Sequence, residues 1–212
     1  FYRTLESLAP HIPKKGAKIL DVGTAGGAFL LAAERFGYDA LGVEPSGYLA
    51  AEGRKKGVKI FQGTLEEAPL EKESFDMVCF WDVLEHVINP LQMLDLARQL
   101  LKPSGILLIN VPDIGTWPAK LAGKRYWWNI SVHLIQFDRK SLATALEKTG
   151  FTPFLWKAYW QTLNLDYLAG RFTSYFPGMG KVLEKMIPPF MKKWKISYWA
   201  SQTTCLAKKG SD

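Results

Sequence analysis

The chain has 212 residues, 48% of them hydrophobic and 22% charged, which excludes a disordered polymer and suits one α/β domain with a modest elaboration, spanning 1–212. The net charge is +7, but residues 171–212 hold eight Lys/Arg against Glu184 and Asp212, so nearly all the excess sits in the tail. The body is therefore not a basic nucleic-acid platform, and DNA is not an expected partner.

Taken in chain order, residues 4–9 read as a short helix and 17–22 as the first strand. A Gly-rich turn follows, then a helix over 26–36 that Gly37 is placed to cap. Strand two covers 39–43 and ends at Glu44. Ser46 is placed to cap a helix over 47–56, and 58–61 is strand three. Residues 63–69 read as a loop and 75–81 as strand four. A helix over 91–101 is stopped by Pro103 and Gly105, and 106–111 is strand five. After Pro112 a long aromatic loop leads to a helix over 138–149 and strand six over 151–160. Residues 161–195 interrupt the pattern as a cap or insertion, and 198–207 is a last strand. The alternation predicts a parallel sheet with helices on both faces. No run of 18 uncharged apolar residues predicts a membrane span, and no signal peptide is visible. The first residue is Phe1, so further residues are expected upstream. Cys79 and Cys205 sit in apolar strand-like runs and are expected to be reduced core residues of a cytoplasmic protein.

Strand, glycine turn, helix opens a nucleotide-binding α/β unit. The dinucleotide spacing Gly-x-Gly-x-x-Gly fails from Gly23, because Ala25 and Ala28 occupy the second and third glycine positions. The pattern is Asp21-x-Gly23-x-Ala25-x-Gly27 instead. It resembles motif I of class I S-adenosylmethionine (SAM) methyltransferases, with Ala25 in place of the middle glycine. The segments Phe75-Asp76-Met77-Val78 and Val83-Leu84-Glu85-His86-Val87 resemble the Phe-Asp strand and Leu-Glu-His segment of bacterial members. A helix over 142–151 ending in Thr-Gly-Phe is similar to that family's last helix.

The resemblance implies a Rossmann-like α/β fold: a seven-stranded, mostly parallel sheet with an antiparallel last strand and a helical insertion before it. It implies that SAM binds and leaves as S-adenosylhomocysteine. Asp21 and the backbone of Gly23, Thr24, Ala25 and Gly27 would hold its methionine part. Glu44, followed by Pro45, would take the ribose hydroxyls, which a carboxylate can accept in pairs. Thr64 and Leu65 would flank the adenine. Family members often carry an acid where Thr64 stands, and the backbone N–H of Leu65 is the alternative contact. Trp81 and Asp82, ending strand four, complete the expected donor set.

Methyl transfer to oxygen needs an in-line acceptor and a proton sink. His133, in the loop after strand five, is the expected base, with a packing role as the alternative. Trp117, Tyr126, Trp127 and Trp128 either wall an acceptor pocket or form a small core. Asp82, Glu85 and His86 look like the Glu-x-x-Glu-His metal cluster of ubiquinone-biosynthesis O-methyltransferases. No metal is expected here, because Glu and His also tie strand four to the next helix in enzymes without one. The expected acceptor is a small molecule: a metabolite, sugar or quinone-like compound. Residues 179–199 mix Phe190, Met191 and Trp194 with Lys192, Lys193 and Lys195. They read either as a helical cap or as an interfacial segment touching a membrane or lipid-linked acceptor, which would place the protein at the inner face of a membrane. A non-catalytic SAM-binding module and an RNA or protein methyltransferase using the basic tail are the alternatives. The sequence leaves the oligomeric state open.

Overall fold

The computed structural model describes residues 1–175 and 177–210, and the side chains of all of these except 171, 172, 174, 175, 177, 179, 181, 183 and 184. The chain divides into two compact units, Phe1–Lys157 with Thr203–Asp212, and Ala158–Gln202.

The first unit opens with α1 (Tyr2–Leu8), β1 (Lys18–Val22), α2 (Ala28–Phe36), β2 (Asp39–Glu44), α3 (Gly47–Lys55) and β3 (Lys59–Gln62). It continues with β4 (Phe75–Trp81), α4 (Pro90–Leu100), β5 (Leu101–Pro112), α5 (Trp117–Ala122), a 3-10 turn at Gly123–Arg125 and α6 (Arg139–Lys148). β6 (Phe151–Asn164) and β7 (Lys195–Lys209) begin and end the excursion into the second unit, which holds α7 (Leu165–Tyr175) and α8 (Pro177–Met186). The sheet order is β3-β2-β1-β4-β5-β7-β6, parallel except where β7 meets β5 and β6. The chain steps outward from β1 to β3 and then returns to β4 on the other side of β1. The crevice between the carboxyl ends of β1 and β4 is thus the topological switch point.

Local chemistry sets the element ends. Ser46 accepts from the Leu49 N–H at the start of α3, and Asn89 accepts from the Gln92 N–H with Pro90 opening α4. Asp138 and Ser141 form a reciprocal capping box on α6. β4 is buried almost throughout, as a central parallel strand must be. Phe75 and Phe80 are sealed in the core formed with Leu94, Leu107, Leu142 and Phe151, each burial stabilising by roughly 1.5–3 kcal/mol.

Two boundaries differ instructively from the sequence reading. The helix expected from 26 starts at Ala28, because the backbone is left-handed at Gly23, Ala25 and Gly27. β5, expected from 106, begins at Leu101. Leu101 pairs with Phe75 and Ile106 with Met77, so the residues between them, including Pro103 and Gly105, bulge from the ladder. Asp76, opposite this bulge, accepts from the Lys18 N–H at 2.8 Å and from Lys102 at 2.7 Å. The Phe75-Asp76 motif is thus a brace near the amino end of β4, away from the switch point. Cys79 and Cys205 are buried and free. Among the described residues no helix is long and apolar enough to cross a membrane.

Candidate active site

The turn after β1 is tied to β2 by the N–H groups of Gly23 and Thr24, which both donate to the Val43 carbonyl, at 2.8 and 3.1 Å. A Cβ on Gly23 would stand 2.7 Å from Val83 Cγ2, and one on Gly27 2.6 Å from Val58 Cγ2. Both positions therefore need glycine for space as well as for their φ of 69° and 75°. Ala25 holds a φ of 49° without being glycine, a conformation that costs an L-residue about 1–2 kcal/mol. Its N–H donates to Glu44 Oε2 at 2.7 Å, while the Ser46 N–H donates to Oε1 at 2.8 Å. Glu44 is buried and fixed by two backbone donors, and each of its oxygens keeps a second lone pair for a ligand hydroxyl.

Asp21 lies behind the turn, buried, with Oδ1 making no hydrogen bond among the described residues. Burial pushes its carboxyl up to about 7, with the nearby Thr24 hydroxyl opposing and the Glu44 charge adding. A buried carboxylate with an unmet oxygen needs a proton or a cation, and the ammonium of an amino-acid ligand would satisfy it.

A cavity of about 410 Å³ opens at the switch point. Val22, Gly23, Val43 and Pro45 form one wall, and Thr64, Leu65 and Glu66 a second. Val83, Val87 and Met93 supply an apolar third. Of the expected donor residues, Gly23, Pro45, Thr64 and Leu65 line this space. Asp21, Thr24, Ala25, Gly27 and Glu44 build the turn and its brace. Trp81 packs against Phe29 and Phe1, ring centres 5.3 and 5.0 Å away. Glu66 had no sequence signal of its own. It offers a carboxylate on the cavity wall two residues past Thr64, whose N–H is bonded to Glu67 instead. An unmet acid, a braced acid and an apolar slot fit the ammonium, diol and flat base of SAM.

Asp82 adopts a left-handed φ of 54° at the end of β4. Its N–H donates to the Asn110 carbonyl at 3.0 Å, and its Oδ1 accepts from Asn110 Nδ2 at 2.8 Å. The side chains that converge are instead Glu85, His86 and His133, with ligand-capable atoms all within 4.8 Å of one another. The two imidazole rings meet edge to face at 4.7 Å, and His133 stacks on Trp128 at 6.0 Å. The loop carrying His133 is fastened through the N–H groups of Leu134 and Ile135 to the Glu85 carbonyl, and through His86 Nδ1 to the Val132 carbonyl. Glu85 is 1% exposed with both carboxyl oxygens unbonded among the described residues. Burial, then the Asp82 charge, pushes it up to about 8. Burial, then neighbouring His86, lowers the pKa of His133. Such a triad can accept a proton or ligate a divalent ion. Tyr126 is buried against Trp127 at 5.0 Å, whereas Trp117 stands 69% exposed on α5.

A family model described as "Methyltransferase domain" matches residues 2–154. The ubiquinone biosynthesis O-methyltransferase of Roseobacter denitrificans is 36% identical over 76% of this chain and 75% of its own length. The chain spans less than half the length of several other relatives of that name. An S-adenosylmethionine-dependent methyltransferase from Mesorhizobium loti shares the fold at 18% identity, with a TM-score of 0.65 and 96% of each chain covered. Phosphoethanolamine N-methyltransferase 2 of Haemonchus contortus, solved with S-adenosyl-L-methionine, shares it at 17% identity and a TM-score of 0.64, covering 99% of this chain and 52% of that one. With the glycine turn, the braced acid and the switch-point cavity, these matches place the chain in the family of class I SAM-dependent methyltransferases.

Proposed function

We propose that the chain methylates an oxygen of a small-molecule acceptor seated beside His133, and that His133 takes the acceptor's proton. The observation that carries this reading is the two-sided turn 83–87. Val83 and Val87 line the cavity, while Glu85 and His86 of the same turn meet His133. SAM supplies an electrophilic methyl group and departs as S-adenosylhomocysteine. Asp21 holds its ammonium, Glu44 its ribose hydroxyls, and Thr64 and Leu65 flank its adenine. The depressed pKa of His133 keeps the imidazole neutral at physiological pH, ready to accept the proton shed as the oxygen attacks. Tyr126, Trp127 and Trp128 form the acceptor wall, which suits a metabolite, sugar or quinone-like hydroxyl compound. The relatives named for O-methylation support oxygen as the acceptor atom.

Replacing His133 by Ala should lower turnover by about 10²–10⁴-fold while calorimetry shows unchanged SAM affinity. Equal turnover in the variant would remove it as the base. Exhaustive chelation should leave the wild-type rate intact. Loss of activity that returns with added divalent ion would replace proton transfer at this cluster with metal binding.

A further inference from the structure

We propose that residues 185–196 form an interfacial patch that seats the protein on an anionic phospholipid surface. The stretch runs from the end of α8 to the start of β7 and contains Lys185, Lys192, Lys193 and Lys195 with no acidic residue. Its large apolar side chains face water: Met186 is 72% exposed, Phe190 70% and Trp194 54%. Consecutive turns, with the Met191 N–H on the Pro188 carbonyl and the Trp194 N–H on the Met191 carbonyl, bring Phe190 and Trp194 to one side. There the rings touch edge to face at 6.1 Å, yet this contact leaves most of both uncovered. Isolated exposed apolar residues are ordinary, but three within nine residues, two of them in ring contact and all flanked by cations, call for an occupant.

Charge complementarity selects that occupant. Lys192 pairs with Asp166 at 3.3 Å, whereas Lys185, Lys193 and Lys195 make no ion pair among the described residues. Three ammonium groups with no ion pair among the described residues, around an apolar centre, match anionic headgroups around acyl chains. Aromatic rings with lysines can also stack on single-stranded nucleic acid. Met186 and the neighbouring Ile196 tip the balance, because aliphatic side chains offer no ring face to a base but partition readily into hydrocarbon. Pro188-Pro189 interrupts the stretch, so the segment lies on a bilayer rather than crossing it. The inference does not depend on which acceptor is methylated.

Vesicle co-sedimentation of the full chain tests it. The protein should pellet with vesicles containing phosphatidylglycerol, about 10-fold or more strongly than with phosphatidylcholine alone, and rising salt should release it. The double variant Phe190→Ser/Trp194→Ser should bind roughly 10-fold more weakly or worse, while far-UV circular dichroism shows the wild-type helix content of the second unit retained. Lys193→Gln/Lys195→Gln should bind roughly 10-fold more weakly or worse. A vesicle-induced blue shift in tryptophan emission should shrink in Trp194→Phe. No sedimentation at low salt would overturn the proposal. So would binding indifferent to the Phe190/Trp194 pair, or a preference for single-stranded RNA that displaces the vesicles.

Discussion

A carboxyl group held near pH 7 with one oxygen unmet, as Asp21 is, sits poised to change protonation when a cation arrives. Below about pH 6 the ligand-free side chain is largely protonated, and an adjacent ammonium favours its ionised form. SAM binding near pH 6 should therefore release a fraction of a proton, measurable by calorimetry in two buffers of different ionisation heat, and Asp21→Asn should abolish the release. A binding heat independent of buffer would remove Asp21 from contact with the ligand. Asp21 and Glu85 also shape stability, since both hold protons that the unfolded chain gives up. Their contribution is complete below the ordinary carboxylate range and is lost as pH rises through about 7 to 8. The melting temperature of the ligand-free protein should fall over that interval, and Glu85→Gln should flatten the fall. Ala25 stores backbone strain of the opposite simplicity. Ala25→Gly removes about 1–2 kcal/mol of left-handed strain but adds about 0.5–1 kcal/mol of unfolded-state entropy, for a net gain of at most about 1.5 kcal/mol. Urea denaturation would show this, and a marked loss would contradict it.

Asn110 binds three strands together at the level of elements. Its carbonyl and amide hold Asp82 at the end of β4, and its Oδ1 accepts from the Thr204 hydroxyl of β7 at 2.9 Å. Asn110→Leu would remove one hydrogen bond from each of Asp82 and Thr204 around a fully buried position, which should destabilise by about 2–4 kcal/mol. Thermal and urea melts should both register it, whereas an exposed polar site would move neither by much. This network was not legible in the sequence, because Thr204 and Asn110 stand 94 residues apart and neither belongs to a motif. The strands themselves were legible. Met77–Trp81 is a continuous apolar run, led in by Phe75-Asp76 and ended at Asp82, and the limits of β4 follow from that pattern. The start of β5 was not, since Pro103 and Gly105 are breakers in any local reading and only the partner strand shows that they bulge. The closeness of Asp21, the glycine turn and Glu44 could be read from the sequence because they lie within about two dozen residues, and the Ala25 N–H bonds Glu44 directly. The meeting of His133 with Glu85 and His86 could not, because the loop is fastened to the Glu85 carbonyl through backbone bonds that carry no residue signature.

For the whole molecule, the cavity lining from Val22 to Met93 falls entirely within the first unit. A chain in which 158–202 is replaced by a short turn joining β6 to β7 should fold and bind SAM within about threefold of wild type, a shift of well under one kcal/mol. A large loss in calorimetry would mean that the second unit contributes to donor binding. The turn 83–87, one side on the donor cavity and the other on the histidines, carries a consequence for the catalytic cycle. With the acceptor seated beside His133 as proposed, a ligand that tightens one side of so short a segment changes what the other side offers, which links the two substrates thermodynamically. Whatever factor SAM imposes on acceptor affinity, the acceptor must return to SAM. The products carry a reciprocal factor of their own: whatever S-adenosylhomocysteine does to the grip on the methylated acceptor, the methylated acceptor does to the grip on S-adenosylhomocysteine, so whichever leaves first changes the affinity for the other by the same amount.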